Sequence, residues 1–173
     1  MIEDSELVRV KALVFDVDGV LSRSVMPMAA DGNPIRTVNV KDGYALQLAV
    51  KSGLKICVIT GARPEQIRRR YESLGIDDVY ISSSVKIHDY DDFLGRNGLS
   101  DSDVLAMGDD IPDYPILRRC AIPCCPADAV PEIKAICRYV SYADGGCGCV
   151  RDVLERVMKA QDKWMSDEHA FGW

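Results

Sequence analysis

The chain has 173 residues, of which 47% are apolar, and its net charge is -6 at pH 7. This length suits one compact core, because two separately folded domains would each be small. The acidic balance argues against a protein that binds nucleic acid or anionic membranes through its charge. An anionic ligand would therefore need a local cationic site.

The sequence also bears on the compartment in which the protein works. Its N-terminal residues do not resemble a secretion signal, and no apolar run approaches the roughly 20 residues of a membrane span. The seven cysteines are odd in number and scattered, which suits free thiols better than a disulfide framework. We expect a cytoplasmic protein without a membrane partner.

Short apolar segments that end in acidic or small polar residues recur along the chain. The predicted strands are Lys11 to Asp16, Leu54 to Thr60, Val79 to Ser82, Val104 to Gly108 and Ala121 to Cys125. Helical patterns separate them, at Asp42 to Ser52, Pro64 to Leu74, Asp89 to Arg96, Pro112 to Arg119, Val130 to Ile136 and Val150 to Lys163. This alternation predicts an α/β fold with a doubly wound, mostly parallel sheet, as a single domain over residues 1–163.

Two segments depart from this alternation. Residues 22–40 hold the turn signal ADGNP between two short β-prone pieces, which predicts a β-hairpin near the carboxyl end of the first strand. Residues 164–173 carry two tryptophans and a phenylalanine without helical spacing. We expect this tail to dock on a neighbouring subunit.

Polar residues collect where the predicted strands end. In chain order they are Asp16 and Asp18, then Thr60 and Gly61, then Lys86, and finally Asp109 with Asp110 and Asp113 close behind. Because the carboxyl ends of parallel strands meet at one edge of a sheet, we expect these residues to form one site.

The residue types at this edge indicate phosphate chemistry. Asp16 and Asp18 are two apart on an extended segment, so both can face a bound phosphate, one to attack and one to move protons. Together with Asp109 they would repel one another unless a divalent cation neutralised them, and oxygen ligands beside a phosphate favour Mg²⁺. Thr60, with Gly61 and Lys86, is then predicted to bind phosphoryl oxygens.

Each of these pieces has a simpler explanation when taken alone. An Asp-x-Asp at a strand end is often a turn with a helix cap, and a lone Lys86 is more often solvated. Only the ordered combination indicates catalysis. A phospho-receiver switch domain combines similar residues, but it has its acid pair on the first strand and its phosphorylated aspartate on a later one. It remains an alternative of a different class.

The ordered motifs FDVDGVL, VITG, Lys86 and GDDIPD resemble those of the haloacid dehalogenase phosphatases, over residues 15–113. The resemblance implies that Asp16 is a nucleophile that forms an aspartyl-phosphate and that Asp18 is the acid and base. It further implies Mg²⁺ held by Asp16, the backbone carbonyl of Asp18, and Asp109. Asp110 and Asp113 would stand behind these ligands, with Asp113 orienting Lys86 or a metal-bound water.

The chain is similar to one uncapped branch of that superfamily. Fewer than 40 residues separate Asp18 from Val58, which leaves no room for a cap domain. VNVKDGYAL, RRRYESLGI and GGCGCVRDV resemble segments of the sugar-acid phosphatases, which act on 3-deoxy-D-manno-octulosonate (KDO) 8-phosphate or on the 9-phosphates of KDN and N-acetylneuraminate. The resemblance implies a homotetramer in which a hairpin from one subunit covers the site of its neighbour.

Two positions favour KDO 8-phosphate as the substrate. Ala62 and Ser73 stand where the KDN-type enzymes carry glutamate and lysine. Arg63 and Arg70 are candidates for the sugar-acid carboxylate, since a guanidinium pairs with it bidentately. The expected reaction is hydrolysis of KDO 8-phosphate on the way to lipopolysaccharide, with KDN or N-acetylneuraminate 9-phosphate as the alternative substrates.

Overall fold

A computed structural model describes residues 2–173, and its centre is a single sheet of six parallel strands. The strands are β1 (Ala12–Phe15), β2 (Lys55–Ile59), β3 (Asp78–Tyr80), β4 (Val104–Met107), β5 (Ile122–Cys125) and β6 (Tyr139–Val140). Their order across the sheet is β3-β2-β1-β4-β5-β6. The predicted fold class is thus confirmed, while β6 was missed because two residues carry no readable pattern.

Among residues 2–173, seven α-helices connect and flank the strands. They are α1 (Asp4–Leu7), α2 (Val40–Lys51), α3 (Glu65–Glu72), α4 (Lys86–Asn97), α5 (Tyr114–Arg119), α6 (Pro131–Ile136) and α7 (Cys149–Ala160). The short α1 has no counterpart among the predicted helices. Within the described part of the chain, no helix is both long and apolar enough to cross a membrane.

Alternation along the strands divides the core into two layers. On β1, Leu13 and Phe15 pack with α2, α3 and α7, whereas Ala12 and Val14 pack with α4, α5 and α6. Successive residues of a strand point to opposite faces, so a run of four apolar residues fills both layers. β1 is consequently buried on both sides and held in register by β2 and β4.

The strand order creates a crevice above the middle of the sheet. Chain connections run outward from β1 to β2 and β3 on one side, and from β4 to β5 and β6 on the other. Loops that follow β1 and β4 therefore leave in opposite directions and open a gap at the carboxyl edge. This gap is where doubly wound sheets bind their ligands.

The predicted hairpin is only partly formed. Residues 22–39, here called the flap, hold one antiparallel bridge, between Met28 and Pro34, and no regular strand. Backbone hydrogen bonds from Ala29 N to Asn33 O (2.8 Å) and from Ile35 N to Pro27 O (2.8 Å) close the turn. Pro27 and Pro34 each lack an N–H, which limits a regular ladder here.

The tail, residues 164–173, lies on its own chain against α2. Tyr44 donates its hydroxyl hydrogen to the carbonyl of Ala170, and Gln47 Nε2 donates to Gly172 O over 3.2 Å. Trp164 and Trp173 both contact the Tyr44 ring edge to face. Phe171 nevertheless stays exposed. Docking of the tail on a neighbouring subunit remains a prediction.

Candidate active site

Asp16 lies immediately after β1, at the centre of the carboxyl edge. Its N–H donates to Met107 O of β4 over 3.2 Å, and its side chain is buried. The chain then turns through Gly19, whose φ of +94° is a conformation that glycine adopts without strain. A Cβ at Gly19 would lie 2.0 Å from Asp109 Oδ2, so this turn presses directly against the loop after β4.

Lys86 joins the buried carboxylates of the site. Its Nζ lies 2.7 Å from Asp16 Oδ1 and 2.7 Å from Asp113 Oδ1. Burial alone would lower the pKa of Lys86, but the charges of Asp16 and Asp113 outweigh it and the pKa is raised. The lysine is therefore a fixed cation beside Asp16, of the kind that binds phosphate oxygens.

Lys86 is also the first residue of α4, a helix that the sequence predicted to begin at Asp89. A cation is unfavourable in the first turn of a helix, where the backbone dipole is positive. Asp16 and Asp113 offset this cost, and both come from distant parts of the chain. The helix start was thus unreadable from local sequence.

Asp113 accepts hydrogen bonds from two other residues of the site. One oxygen binds Lys86, and the other accepts the N–H of Asp109 over 3.0 Å. Gly108 leaves the space for this contact, because a Cβ there would lie 2.3 Å from the Cβ of Asp113. Both carboxylate oxygens of Asp113 are therefore committed to protein partners. Asp110 is exposed and accepts the N–H of Ile111 at the turn that precedes Asp113.

The acidic group at this edge fits a divalent cation. Carboxylate oxygens of Asp16, Asp109 and Asp113 lie within 4.8 Å of one another. Asp109 Oδ1 is buried and has no hydrogen-bond partner among residues 2–173. Burial, followed by the charges of Asp113 and Asp110, raises the pKa of Asp109 to about 7. Burial and the charge of Asp113 likewise raise the pKa of Asp16 well above its usual range, despite Lys86.

A hard cation would give Asp109 Oδ1 a partner. It would also lower the raised pKa values of Asp16 and Asp109, because it favours the charged carboxylates. Each oxygen of Asp113 already accepts a hydrogen bond from the protein, whereas Asp109 Oδ1 accepts none from residues 2–173 and only Oδ1 of Asp16 pairs with Lys86, so Asp16 and Asp109 are the better candidates for metal ligands. The site therefore suits a divalent metal ion.

Asp18 lies in different surroundings from Asp16. Its two carboxylate oxygens accept from Arg36 Nε and Arg36 Nη2, each over 2.7 Å, and its side chain is 37% exposed. Two aspartates two residues apart thus differ in burial and in counter-ion. Such a difference allows one carboxylate to act as nucleophile and the other as acid and base.

Thr60 and Gly61 follow β2, next to β1. Thr60 is buried, its N–H donates to Tyr80 O over 2.9 Å, and its Oγ1 accepts from Ala62 N over 3.2 Å. The hydroxyl hydrogen of Thr60 thus remains available for a ligand oxygen. Gly61 is exposed beside it.

The two arginines predicted for the substrate have different settings. Arg63 is exposed ahead of α3, whereas Arg70 lines a cavity of about 400 Å³ between α3 and the flap. Arg70 Nε is buried without a hydrogen-bond partner in the described chain. Arg70 thus lines a cavity that Arg63 does not reach, which favours Arg70 over Arg63 as a ligand contact.

Sequence reasoning missed Arg36. It lines the same cavity as Arg70 and holds Asp18. No spacing pattern links residue 36 to the Asp-x-Asp motif, because the flap folds back by irregular turns. The available signal was that Arg36 is a single basic residue within an otherwise uncharged, β-prone part of the flap.

The predicted site also omitted the GGCGC segment, residues 145–149. Its glycines let this segment pack closely against the loop that follows β1. A Cβ at Gly145 would lie 2.0 Å from Gly19 O, and Gly145 N donates to Asp128 Oδ1 over 2.8 Å. Gly146 N donates to Val20 O over 2.8 Å. This segment therefore clamps the turn that carries Asp18.

The chain is similar in sequence and in structure to known 3-deoxy-D-manno-octulosonate 8-phosphate phosphatases. No protein-family model matches the chain. The 3-deoxy-D-manno-octulosonate 8-phosphate phosphatase KdsC of Salmonella typhi is 32% identical over 154 residues, which are 89% of this chain and 82% of that protein. The crystal structure of the same phosphatase from Yersinia pestis has a TM-score of 0.88 and 31% identity, covering 92% of this chain and 86% of that one.

A further solved structure carries ligands. It is the 3-deoxy-D-manno-octulosonate 8-phosphate phosphatase of Moraxella catarrhalis in complex with a magnesium ion, a phosphate ion and KDO. Its TM-score is 0.90 at 27% identity, and the match covers 98% of this chain and 97% of that chain.

Proposed function

Because the chain belongs to the 3-deoxy-D-manno-octulosonate 8-phosphate phosphatase family of the haloacid dehalogenase superfamily, we propose that it hydrolyses KDO 8-phosphate to KDO and phosphate. The observation that carries the proposal is the buried group of Asp16, Lys86, Asp109 and Asp113 above β1 and β4. It combines a nucleophile, a fixed cation and free metal ligands within one crevice.

In the proposed mechanism, the Asp16 carboxylate attacks phosphorus in line with the sugar oxygen. The bond between phosphorus and that oxygen breaks, and Asp18 donates its proton to the departing alkoxide. Asp18 then removes a proton from a water molecule, which attacks the aspartyl-phosphate and releases phosphate from Asp16. Lys86, with Thr60 and the backbone at Gly61, would bind the phosphoryl oxygens throughout.

The proposed cofactor is Mg²⁺. Asp16, Asp109 and the backbone carbonyl of Asp18 would hold it, with Asp113 and Asp110 fixing the loop behind. When bound, it would neutralise the carboxylates and polarise the phosphate. The unsatisfied Asp109 Oδ1 supports this assignment.

For the sugar acid we propose contacts with α3 and its approach. Arg63 and Arg70 would face the anionic and hydroxyl groups of the ligand, while Ala62 and Ser73 leave space where the KDN-type enzymes carry charged side chains. The cavity of about 400 Å³ is in the range that binds small molecules.

We further propose a homotetramer working in the cytoplasm, with the flap or the tail of one subunit reaching its neighbour's site. Val25, Met28 and Phe171 are exposed apolar side chains on these two segments, which supports burial in an assembly. The seven free cysteines suit a reducing compartment. Measurement of the native mass tests the assembly, and a monomer or dimer would contradict it.

The substrate is tested by comparing specificity constants, with Mg²⁺ present, for KDO 8-phosphate, KDN 9-phosphate and N-acetylneuraminate 9-phosphate. We expect KDO 8-phosphate to be preferred at least about tenfold, equivalent to about 1.4 kcal/mol of transition-state binding. A higher kcat/KM for either nine-carbon acid would assign the chain to the alternative substrate. Absence of multiple turnover on all three would favour a phospho-receiver switch.

A further inference from the structure

Arg36 engages the predicted acid and base of the reaction from the flap. Its Nε and Nη2 each lie 2.7 Å from one oxygen of Asp18, so the pair is bidentate. The flap backbone on the C-terminal side is fixed by Thr37, whose N–H donates to Ser22 Oγ over 2.9 Å. Arg23 N in turn donates to Thr37 Oγ1 over 3.1 Å. The guanidinium is thus presented from an anchored backbone.

This ion pair is incompatible with the proposed role of Asp18. A carboxyl group that passes a proton to a leaving oxygen must direct one of its own oxygens at that atom. Here both oxygens accept from Arg36. The pair must therefore separate whenever Asp18 acts on a substrate.

Separation would leave a cation in need of a partner. The Arg36 side chain is only 15% exposed, and an unpaired charge that is mostly buried is costly. The other hydrogen bond that Arg36 makes within residues 2–173, from Nη1 to Pro34 O over 3.4 Å, is long, and its acceptor carries no charge. The ligand that opens the pair must thus bring an anion to replace Asp18.

The cavity beside the pair has room for such a ligand. Val17, which lies between the two aspartates, lines it together with Arg36 and Arg70. Two guanidinium groups line the cavity against one carboxylate, that of Asp31, and this excess of positive charge favours a ligand that carries a carboxylate in addition to its phosphate.

We propose that Arg36 is a specificity-determining residue that exchanges Asp18 for the carboxylate of the sugar acid. An ester with this carboxylate takes over the guanidinium and frees Asp18 for proton transfer. A phosphate ester without it leaves the pair closed, so the ester binds but reacts slowly. The inference deepens the proposed function and rests on it, since it presumes a sugar-acid substrate.

The test uses one sugar in two forms, KDO 8-phosphate and its methyl ester, in which the carboxylate is capped. For the wild-type enzyme we expect kcat/KM to be about 10- to 100-fold higher for the acid, as for one charged hydrogen-bonded contact. In Arg36→Gln this ratio should fall to near one, because KM for the acid rises while kcat for the methyl ester is retained or increased. Arg36→Lys should lie between, since an ammonium makes no bidentate pair.

Arg23→Gln is the matched control, because Arg23 is an exposed arginine of the same flap that does not line the cavity. It should keep the wild-type ratio. An unchanged ratio in Arg36→Gln would overturn the exchange, and so would an equal loss of kcat on both esters, which indicates a structural role. A wild-type enzyme that turns over both forms equally would overturn the exchange but not the substrate, whereas turnover of neither form would overturn the proposed substrate and the exchange with it.

Discussion

At the carboxyl edge of the sheet, Asp16, Lys86 and Asp113 are 8%, 8% and 5% exposed, whereas Val25 and Met28 on the flap are 85% and 75% exposed. These residues lie at the ends of strands and helices, and those strands and helices pack into the two layers of the core. Apart from Thr37, which is hydrogen-bonded to Ser22, the flap is held by a few turn hydrogen bonds, and most of its residues are exposed. Arg36 and Asp18 join the two regions.

This contrast indicates that the edge and the flap serve different steps of the proposed reaction. Phosphoryl transfer needs charges fixed to within fractions of an ångström, which a buried strand edge provides. Recognition of a particular sugar acid needs a surface that opens for the ligand and closes on it, which a sparsely bonded segment provides. Variants of the edge should therefore affect turnover of every phosphate ester, and variants of the flap should affect the choice among them.

The largest effect is expected from Asp16→Asn at the edge. Loss of the nucleophile should lower kcat by about 10⁴-fold or more on all phosphate esters, with ester binding still measurable. Single-turnover kinetics and equilibrium binding would separate the two effects. Asp77→Asn, at an exposed position before β3, is the control and should retain activity. Wild-type turnover in Asp16→Asn would disprove the assigned nucleophile.

Gly19→Ala should have the next largest effect, because it combines backbone strain with a clash on Asp109. Gly32→Ala on the flap provides a matched control, since Gly32 also has positive φ, at +84°, but has open space around it. We expect Gly19→Ala to raise the metal concentration for half-maximal activity at least about tenfold, and Gly32→Ala only to cost about 1 kcal/mol of stability. Equal metal dependence in both variants would contradict close packing of the two loops.

The smallest effect concerns stability of the metal-free protein. The pKa of Asp109 is about 7 in the folded protein and near 3.8 when unfolded, so the folded state holds the proton more tightly between these values. The free energy of unfolding should therefore fall as pH rises from about 4 to 7, by about 1–2 kcal/mol after allowance for solvent screening. The raised pKa of Asp16 should change the free energy of unfolding in the same direction.

Urea unfolding with a chelator present measures this dependence. Asp109→Asn should weaken this dependence without abolishing it, since Asp16 contributes in the same direction, and saturating Mg²⁺ should restore stability at neutral pH, because the ion stabilises the charged carboxylates. A free energy of unfolding that rises over this pH range in the metal-free enzyme would refute the raised pKa of the acidic group.

Much of the edge was predictable from sequence for a local reason. A buried parallel strand is a short apolar run, and the residue that follows it must lie at the carboxyl edge, so Asp16, Thr60 and Asp109 could be placed without coordinates. The pairing of Lys86 with two carboxylates was less accessible, since it joins residues 70 and 27 positions apart. Only the folded sheet brings those residues within contact distance.

The sequence by itself therefore determined the layered α/β fold and the chemical groups at its edge, because strand and helix periodicities and strand-end residues are local properties. Tertiary structure alone decided what each carboxylate faces. Each oxygen of Asp113 accepts a hydrogen bond, Asp109 Oδ1 has no hydrogen-bond partner among residues 2–173, and Asp18 is held by Arg36. These differences arise from irregular turns of the flap and from close contacts of glycines between loops. Neither produces a repeating pattern in the sequence.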